Sequence, residues 1–306
     1  MKSEISSMAS GADQFPLVTV IIASYNHGKY IEASIASVLS QTYPRIELLV
    51  IDDGSHDDSV ERIGRLQQRH GFDFKVQQNQ GLSRTLNDAI SRARGSLIVP
   101  FGSDDIMLPQ RLQRQVEYLA DKPEVGLCAA NVEIIDSEGC LYPDHKQNQR
   151  DLPFRRLDFD DLFLDRKPGP MVATQMFRRE ALVKVGGFDP SIRLEDVYIT
   201  LSILRAGYFI DILPDVLAQY RKHGSNTYKN LPFMYENLVK TYERFSDHPR
   251  YPEVRGRFMN SMFLKAAKEN KALAWSILRQ LPLSLWRRKT CRGLLRLLIP
   301  RIPNQG

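Results

Sequence analysis

Two adjacent carboxylates, Asp104 and Asp105, follow directly on an apolar run in the stretch VPFGSDDIML (99–108). Like charges side by side repel each other, so either they decorate a solvated turn or a cation sits against them. Two more polar clusters follow β-branched runs: SYN (24–26) after VTVIIA, and DDGS (52–55) after IELLVI. Any one of these is ordinary turn chemistry, because Asp, Asn, Gly and Ser all favour turns. All three on one rim make a binding edge the better reading, since open α/β sheets bind ligands beyond the carboxyl ends of their strands. A further acid pair, Glu195–Asp196, opens a helical pattern in LEDVY. There it either stabilises the positive end of a helix dipole or supplies a general base. YRKHGSN (220–226) adds Arg221, His223 and Ser225 where a strand-like run ends. A lone histidine there is a surface residue or a ligand, depending on what faces it.

These side chains need a scaffold, and the first half of the chain predicts one. VTVIIA, IELLVI, a short run at 74–76, LIVPF and VGLCAA read as strands. Between them lie helical patterns, such as Ile31, Ile35, Val38 and Leu39 at i, i+4, i+7 and i+8. Strand alternating with helix over about 120 residues predicts a parallel sheet covered by helices, an α/β fold. Residues 140–170 read as polar loop, and 194–208 as a helix with Gly207 at its C′ position. YFIDIL and VLAQYR then read as two strands, and after Asn226 the pattern is helical.

Bulk properties narrow the class. The 306 residues are 42% hydrophobic and 25% charged, ordinary for a globular chain. Three cysteines with no CxxC pair suggest neither a disulfide framework nor a cysteine zinc site, which fits a reducing compartment. The first fifteen residues lack the apolar core of a secretory signal and read as a flexible N-terminus. No stretch reaches the roughly 18 apolar residues of a bilayer span. The net charge of +6 is unevenly spread: from Asn226 onward there are 16 Lys and Arg against 5 Asp and Glu.

The segments VTVIIASYNHGKYIEASIASVLSQTYPRIELLVIDDGSHDDS and NQGLSRTLNDAISRARGSLIVPFGSDDIMLPQRLQRQV resemble, in that order, the opening of family-2 glycosyltransferases. GGFDPSIRLEDVYITLSILRAGY and YRKHGSN continue the likeness. The resemblance implies the Rossmann-like glycosyltransferase A fold over about 16–226, with 227–306 as a basic helical C-terminal extension. It implies that Tyr25, Asp52 and Asp53 hold the nucleotide base, with Ala23, Asn79, Arg84 and Ser103 completing the nucleotide site. Asp104 stands at the last position of the family's Asp-x-Asp metal motif and would be the principal metal ligand, with Asp105 after it as the second and His223 as a further one, while Gly102 occupies the usual first Asp. Leu86 stands where the family often has Arg, leaving Arg84 as the nearest base for a phosphate. Asp196 would be the general base of an inverting displacement and Glu195 its acceptor-positioning partner. Arg221, His223 and Ser225 would form a lid over diphosphate and metal. The implied cofactor is Mn²⁺ or Mg²⁺. The implied substrates are a nucleotide-sugar donor, UDP before dTDP, and a glycan or polyprenyl-diphosphate-linked glycan of a bacterial surface polysaccharide.

LPLSLWRRKTCRGLLRLLIPR (281–301) carries six basic residues and no acid. It fits either a helix lying on an anionic membrane surface, which would make the chain a cytoplasmic protein peripheral to the inner face of the plasma membrane, or a docked helix with solvated arginines. Nucleic acid is not expected as a partner, because aromatic interleaving and a known module are absent. Two rival functions remain: a nucleotidyltransferase, against which stands the lack of a Gly-rich phosphate loop, and a non-catalytic nucleotide-sugar or glycan-binding partner, against which stand the two acid pairs.

Overall fold

The computed structural model describes residues 15–224 and 226–298, the side chain of Tyr228 excepted. The expected flexible N-terminus up to residue 14, Ser225 and residues 299–306 lie outside the described residues. The chain divides into two compact units, Met1–Gly224 and Ser225–Gly306.

The first unit is built on one mixed sheet. Its parallel heart is β1 (Val18–Ser24), β2 (Ile46–Asp52), β3 (Asp73–Val76) and β4 (Leu97–Gly102). The sheet extends through β5 (Ile106–Met107), β6 (Val125–Ile135), β8 (Met176–Arg178) and β9 (Phe209–Arg221) in the order β3-β2-β1-β4-β8-β6-β9-β5, and β7 (Arg155–Leu157) pairs with β9. Successive side chains of a strand point to opposite faces, and β1 is apolar on both. Val18, Val20 and Ile22 pack with Ile31, Ile35 and Val38 of α1 (Gly28–Leu39), Ile63 of α2 (Ser59–His70) and Leu112 and Val116 of α4 (Arg111–Leu119). Ile21 packs on the other face with Leu86 and Ala89 of α3 (Leu82–Arg92), with Ala181 and Leu182 of α6 (Arg179–Lys184) and with Ile199 and Ile203 of α7 (Glu195–Arg205). The sheet is therefore helix-covered on both sides, the α/β Rossmann-like architecture.

Three details differ from the sequence reading. YFIDIL and VLAQYR form one 13-residue strand, β9, running through Pro214. Proline cannot donate to a ladder, and here the β6–β9 register shifts around Asn131, whose Nδ2 donates 3.1 Å to the Pro214 carbonyl. The polar stretch after residue 140 contains β7 and α5 (Phe159–Phe163), the latter opened by a capping box between Asp158 and Asp161. The sheet also carries antiparallel pairs at β4–β8, β6–β8, β5–β9 and β7–β9 that alternation alone did not predict.

The second unit is helical. α8 (Leu231–Glu243), α9 (Tyr251–Glu269), α10 (Lys271–Gln280) and α11 (Arg288–Leu298) share a core of Tyr235, Met259, Phe263, Ala266, Ile277 and Leu297.

Candidate active site

Register sets the site. Ser24 pairs with Asp52 and Ala23 with Gly102, so β1, β2 and β4 end level, and the three polar clusters share one rim. Asn26 is turned into the left-handed region at φ 53°. Its N–H donates 2.8 Å to Ser55 Oγ, and its Oδ1 accepts 2.8 Å from the His56 N–H, tying the first rim loop to the second. Tyr25 is 44% exposed, its ring edge-on to His56. An aromatic face so placed is free to stack on a planar base.

The Asp52–Asp53 pair shapes this loop. Asp52 is fully buried, and Ser55 donates to both of its oxygens, from N–H at 2.8 Å and from Oγ at 2.7 Å. Asp53 accepts from the N–H groups of Gln80 and Gly81 at 3.0 and 2.9 Å and from Gln77 Nε2 at 2.9 Å. Both carboxylates, expected against the base, thus hold the backbone that a base would approach. Asn79 and Arg84 are exposed beside it, Arg84 on the first turn of α3, whereas Leu86 is buried in the core.

Beyond β4, Asp104 Oδ2 lies 2.8 Å from His223 Nε2. His27 Nδ1 lies 2.7 Å from Ser103 Oγ, and the two imidazoles meet edge to face at 5.7 Å. One ligand atom from each of His27, Asp104 and His223 falls within 4.8 Å of the others. Burial pushes the Asp104 carboxyl up, but the hydrogen bond from His223 and the fields of His27 and His223 outweigh it and hold the group ionised below its ordinary range. Burial pushes His27 down, which keeps its imidazole neutral, the state that ligates metal. A carboxylate with two imidazoles fits a divalent cation, and mixed N/O ligands suit Mn²⁺ better than Mg²⁺, which prefers oxygen alone.

Asp105 and Arg221 play different parts from those expected. Asp105 is buried behind Asp104 and accepts the Arg221 N–H at 2.9 Å. Loss of water and the neighbouring Asp104 charge push its carboxyl well up. Arg221 is 5% exposed, donating from Nε to the Asp104 carbonyl at 2.7 Å and from Nη1 to the Asp136 carbonyl at 3.1 Å, with its guanidinium over the Tyr30 ring. It locks the loop after β4 to the end of β9 rather than reaching outward. Gly102 sits in the same crowding: a Cβ there would lie 2.7 Å from Asp105 Oδ2 and 3.0 Å from Asp104 Oδ1, so these carboxylates would have to shift.

Glu195 and Asp196 are the first two residues of α7 and half-buried. Loss of water raises both carboxyls, and Asp196's charge raises Glu195 further. The loop before them is held from α3: Ser83 Oγ donates 3.1 Å to the Ile192 carbonyl, and Asn87 clasps Phe188 through Nδ2 to O at 2.7 Å and N–H to Oδ1 at 2.9 Å. Ser83 lies on the first turn of α3, the rim end, so the acid pair stands on the α3 side of that rim. His27 and Asn87 were missed in the sequence. The signal for His27 was its place just past the end of β1, level with Asp104.

A hollow of about 770 Å³, lined by Tyr43, Phe72, Arg92 and Arg94 among others, opens where β2 and β3 begin and contains none of these residues.

A Rossmann-like sheet whose rim carries a His–Asp–His cluster that could hold a metal ion, with an acid pair opening α7, fits an α/β enzyme. Residues 19–186 match the model of glycosyl transferase family 2, and the chain belongs to that family and is a glycosyltransferase. It is 29% identical to the O-antigen biosynthesis glycosyltransferase WbnJ of Escherichia coli over 231 residues, 72% of this chain and 85% of that protein. The fold is that of S. aureus TarS 1–349 in complex with UDP-GlcNAc (TM-score 0.63, 17% identity, 92% of this chain and 81% of that one). It is equally that of the mannosyltransferase PcManGT of Pyrobaculum calidifontis with GDP-Man and Mn²⁺ (TM-score 0.62, 20% identity, 92% and 85%).

Proposed function

We propose that this glycosyltransferase moves a hexose or N-acetylhexosamine from UDP to a hydroxyl of a glycan or lipid-linked glycan in surface polysaccharide synthesis, with inversion. The observation that carries the reading is the His27–Asp104–His223 cluster at the end of the parallel strands, where a donor diphosphate would meet it. His27, Asp104 and His223 would hold the divalent ion, which when bound neutralises charge growing on the leaving diphosphate. Tyr25 stacks on the base, while Asn79 and Arg84 flank it. Asp196 removes the acceptor hydroxyl's proton, that oxygen bonds to the anomeric carbon, and the bond from that carbon to the diphosphate oxygen breaks with its electron pair leaving on UDP. The raised Asp196 carboxyl suits this task, because a base near the working pH is more effective. Glu195 orients the acceptor hydroxyl. Ser103 positions the His27 ring, and Ala23 lies at the rim beside the base. WbnJ's role in O-antigen biosynthesis supports a polysaccharide acceptor, and the UDP-GlcNAc bound to TarS supports the donor class.

Incubation with a panel of nucleotide sugars and Mn²⁺, with released nucleoside diphosphate measured, tests the reading. One UDP-sugar should be turned over. Release of pyrophosphate from a nucleoside triphosphate instead would mark a nucleotidyltransferase, and tight binding without turnover, even with glycan acceptors supplied, a binding partner.

A further inference from the structure

The C-terminal unit presents a helix face that the fold leaves uncovered. α11 packs on α9 through Thr290, Gly293 and Leu297, spaced i, i+3 and i+7, with Gly293 pressed so close that a Cβ would lie 2.4 Å from the Phe263 ring. The helix is thus docked in a fixed rotation. At 100° per residue the opposite face carries Arg288, Arg292, Leu295 and Leu298. All four are exposed, Leu295 by 64% and Leu298 by 80%. Just before the helix, Leu283 is 76% exposed, and the indole of Trp286 is held by its Nε1 donating 3.3 Å to the Leu281 carbonyl. From Leu281 to Leu298 the chain contains five basic residues and no acid.

We propose that this outward face of α11 is a docking surface for an anionic lipid bilayer, with the helix lying flat, Leu295 and Leu298 entering the interface and Arg288 and Arg292 on the headgroup phosphates. Charge complementarity selects the occupant. A face of exposed leucines flanked by arginines, in a segment that contains no acid, repels a basic partner and wastes its leucines on a nucleic acid. An anionic bilayer satisfies both at once, apolar burial below and phosphate at the surface. No described helix is long and apolar enough to span the membrane, so the contact is parallel to its plane. This arrangement reconciles two sequence readings: the helix is docked on its own unit by one face and offers the other. The surface shares no residue with the proposed donor site, so the proposal stands or falls apart from the sugar-transfer reading.

The test is co-sedimentation of the full chain with vesicles of pure phosphatidylcholine or of phosphatidylcholine with 40% phosphatidylglycerol. The protein should bind the anionic vesicles alone and be released by 0.5 M salt. Leu295→Ser with Leu298→Ser should lower partitioning at least tenfold, and Arg288→Gln with Arg292→Gln about thirtyfold, at about 1 kcal/mol per arginine. Because these side chains are exposed, circular dichroism and Tm should be unchanged in both variants. In a Trp275→Phe background, Trp286 emission should shift to the blue on binding. Equal binding to both vesicle types, or leucine variants that bind as the parent does, would overturn the proposal. So would salt-labile binding to duplex DNA as tight as to anionic vesicles.

Discussion

Asp196 and Glu195 show how a side chain's surroundings decide its chemistry. An aspartate in water is a weak base at neutral pH. Here partial burial, and for Glu195 a like charge as well, raise both carboxyls at the first turn of α7. A base works only when ionised, so raising its pKa moves the acid limb of kcat/KM to a pH above the ordinary carboxylate range. A pH–rate profile should show activity falling well before pH 4 is reached from above. Asp196→Asn should cut kcat about 10²–10⁴-fold while leaving the Kd for UDP unchanged by calorimetry. A variant with near-parental turnover would remove Asp196 from the mechanism. Gly102 carries a second expectation. Replacing it by Asp would restore the family's usual acid, yet its Cβ would crowd both Asp105 and Asp104. Gly102→Asp should therefore weaken Mn²⁺ binding about tenfold, read by electron paramagnetic resonance titration, rather than strengthen it.

At the scale of elements, α3 matters as much for what it holds as for where it lies. Its Asn87 satisfies both backbone groups of Phe188, and Gly187 beside it, at φ +75°, leaves no room for a Cβ, which would lie 2.6 Å from Asn87 Oδ1. Asn87→Ala strands a partly buried N–H and C=O, costing about 2 kcal/mol and lowering Tm by roughly 4–8 °C. If this clasp positions the acid pair, kcat should fall with the Kd for UDP retained; a purely structural role would lower Tm alone. The sequence revealed the strands and helices around this clasp because their periodicity is strong. It showed Asp104 and the acid pair because polar residues at strand and helix ends stand out against apolar runs. Asn87 escaped because a side chain clasping a backbone 101 residues away leaves no local pattern. The antiparallel strands β5 and β8 escaped because two or three residues carry no period. The Pro214 strand read as two because proline is the usual end of a ladder, and only Asn131 across the sheet explains why it continues.

At the scale of the whole molecule, the chain has two units of opposite net charge, and each should respond to its own ligand. The acidic balance lies with the sheet and the basic balance with the helices after Asn226. Anything that binds the folded unit but not the unfolded chain stabilises it by RT ln(1 + [L]/Kd), about 2.7 kcal/mol at a hundredfold excess over Kd. For a unit of some 200 residues this raises Tm by roughly 5–11 °C. UDP with Mn²⁺ should thus shift the unfolding of the sheet unit, followed by calorimetry, and the shift should vanish in Asp104→Asn because the one carboxylate of the three-residue cluster is gone. The helical unit's core of Tyr235, Met259, Phe263 and Ile277 contains none of the nucleotide contacts, so its transition should stay where it is. Gly293→Val makes the converse change: the added side chain collides with Phe263 and should lower the helical unit's transition, leaving UDP protection of the sheet unit intact. A single transition that moved as one with both perturbations would mean that the two cores fold as one, and the division after Gly224 would then be geometric only.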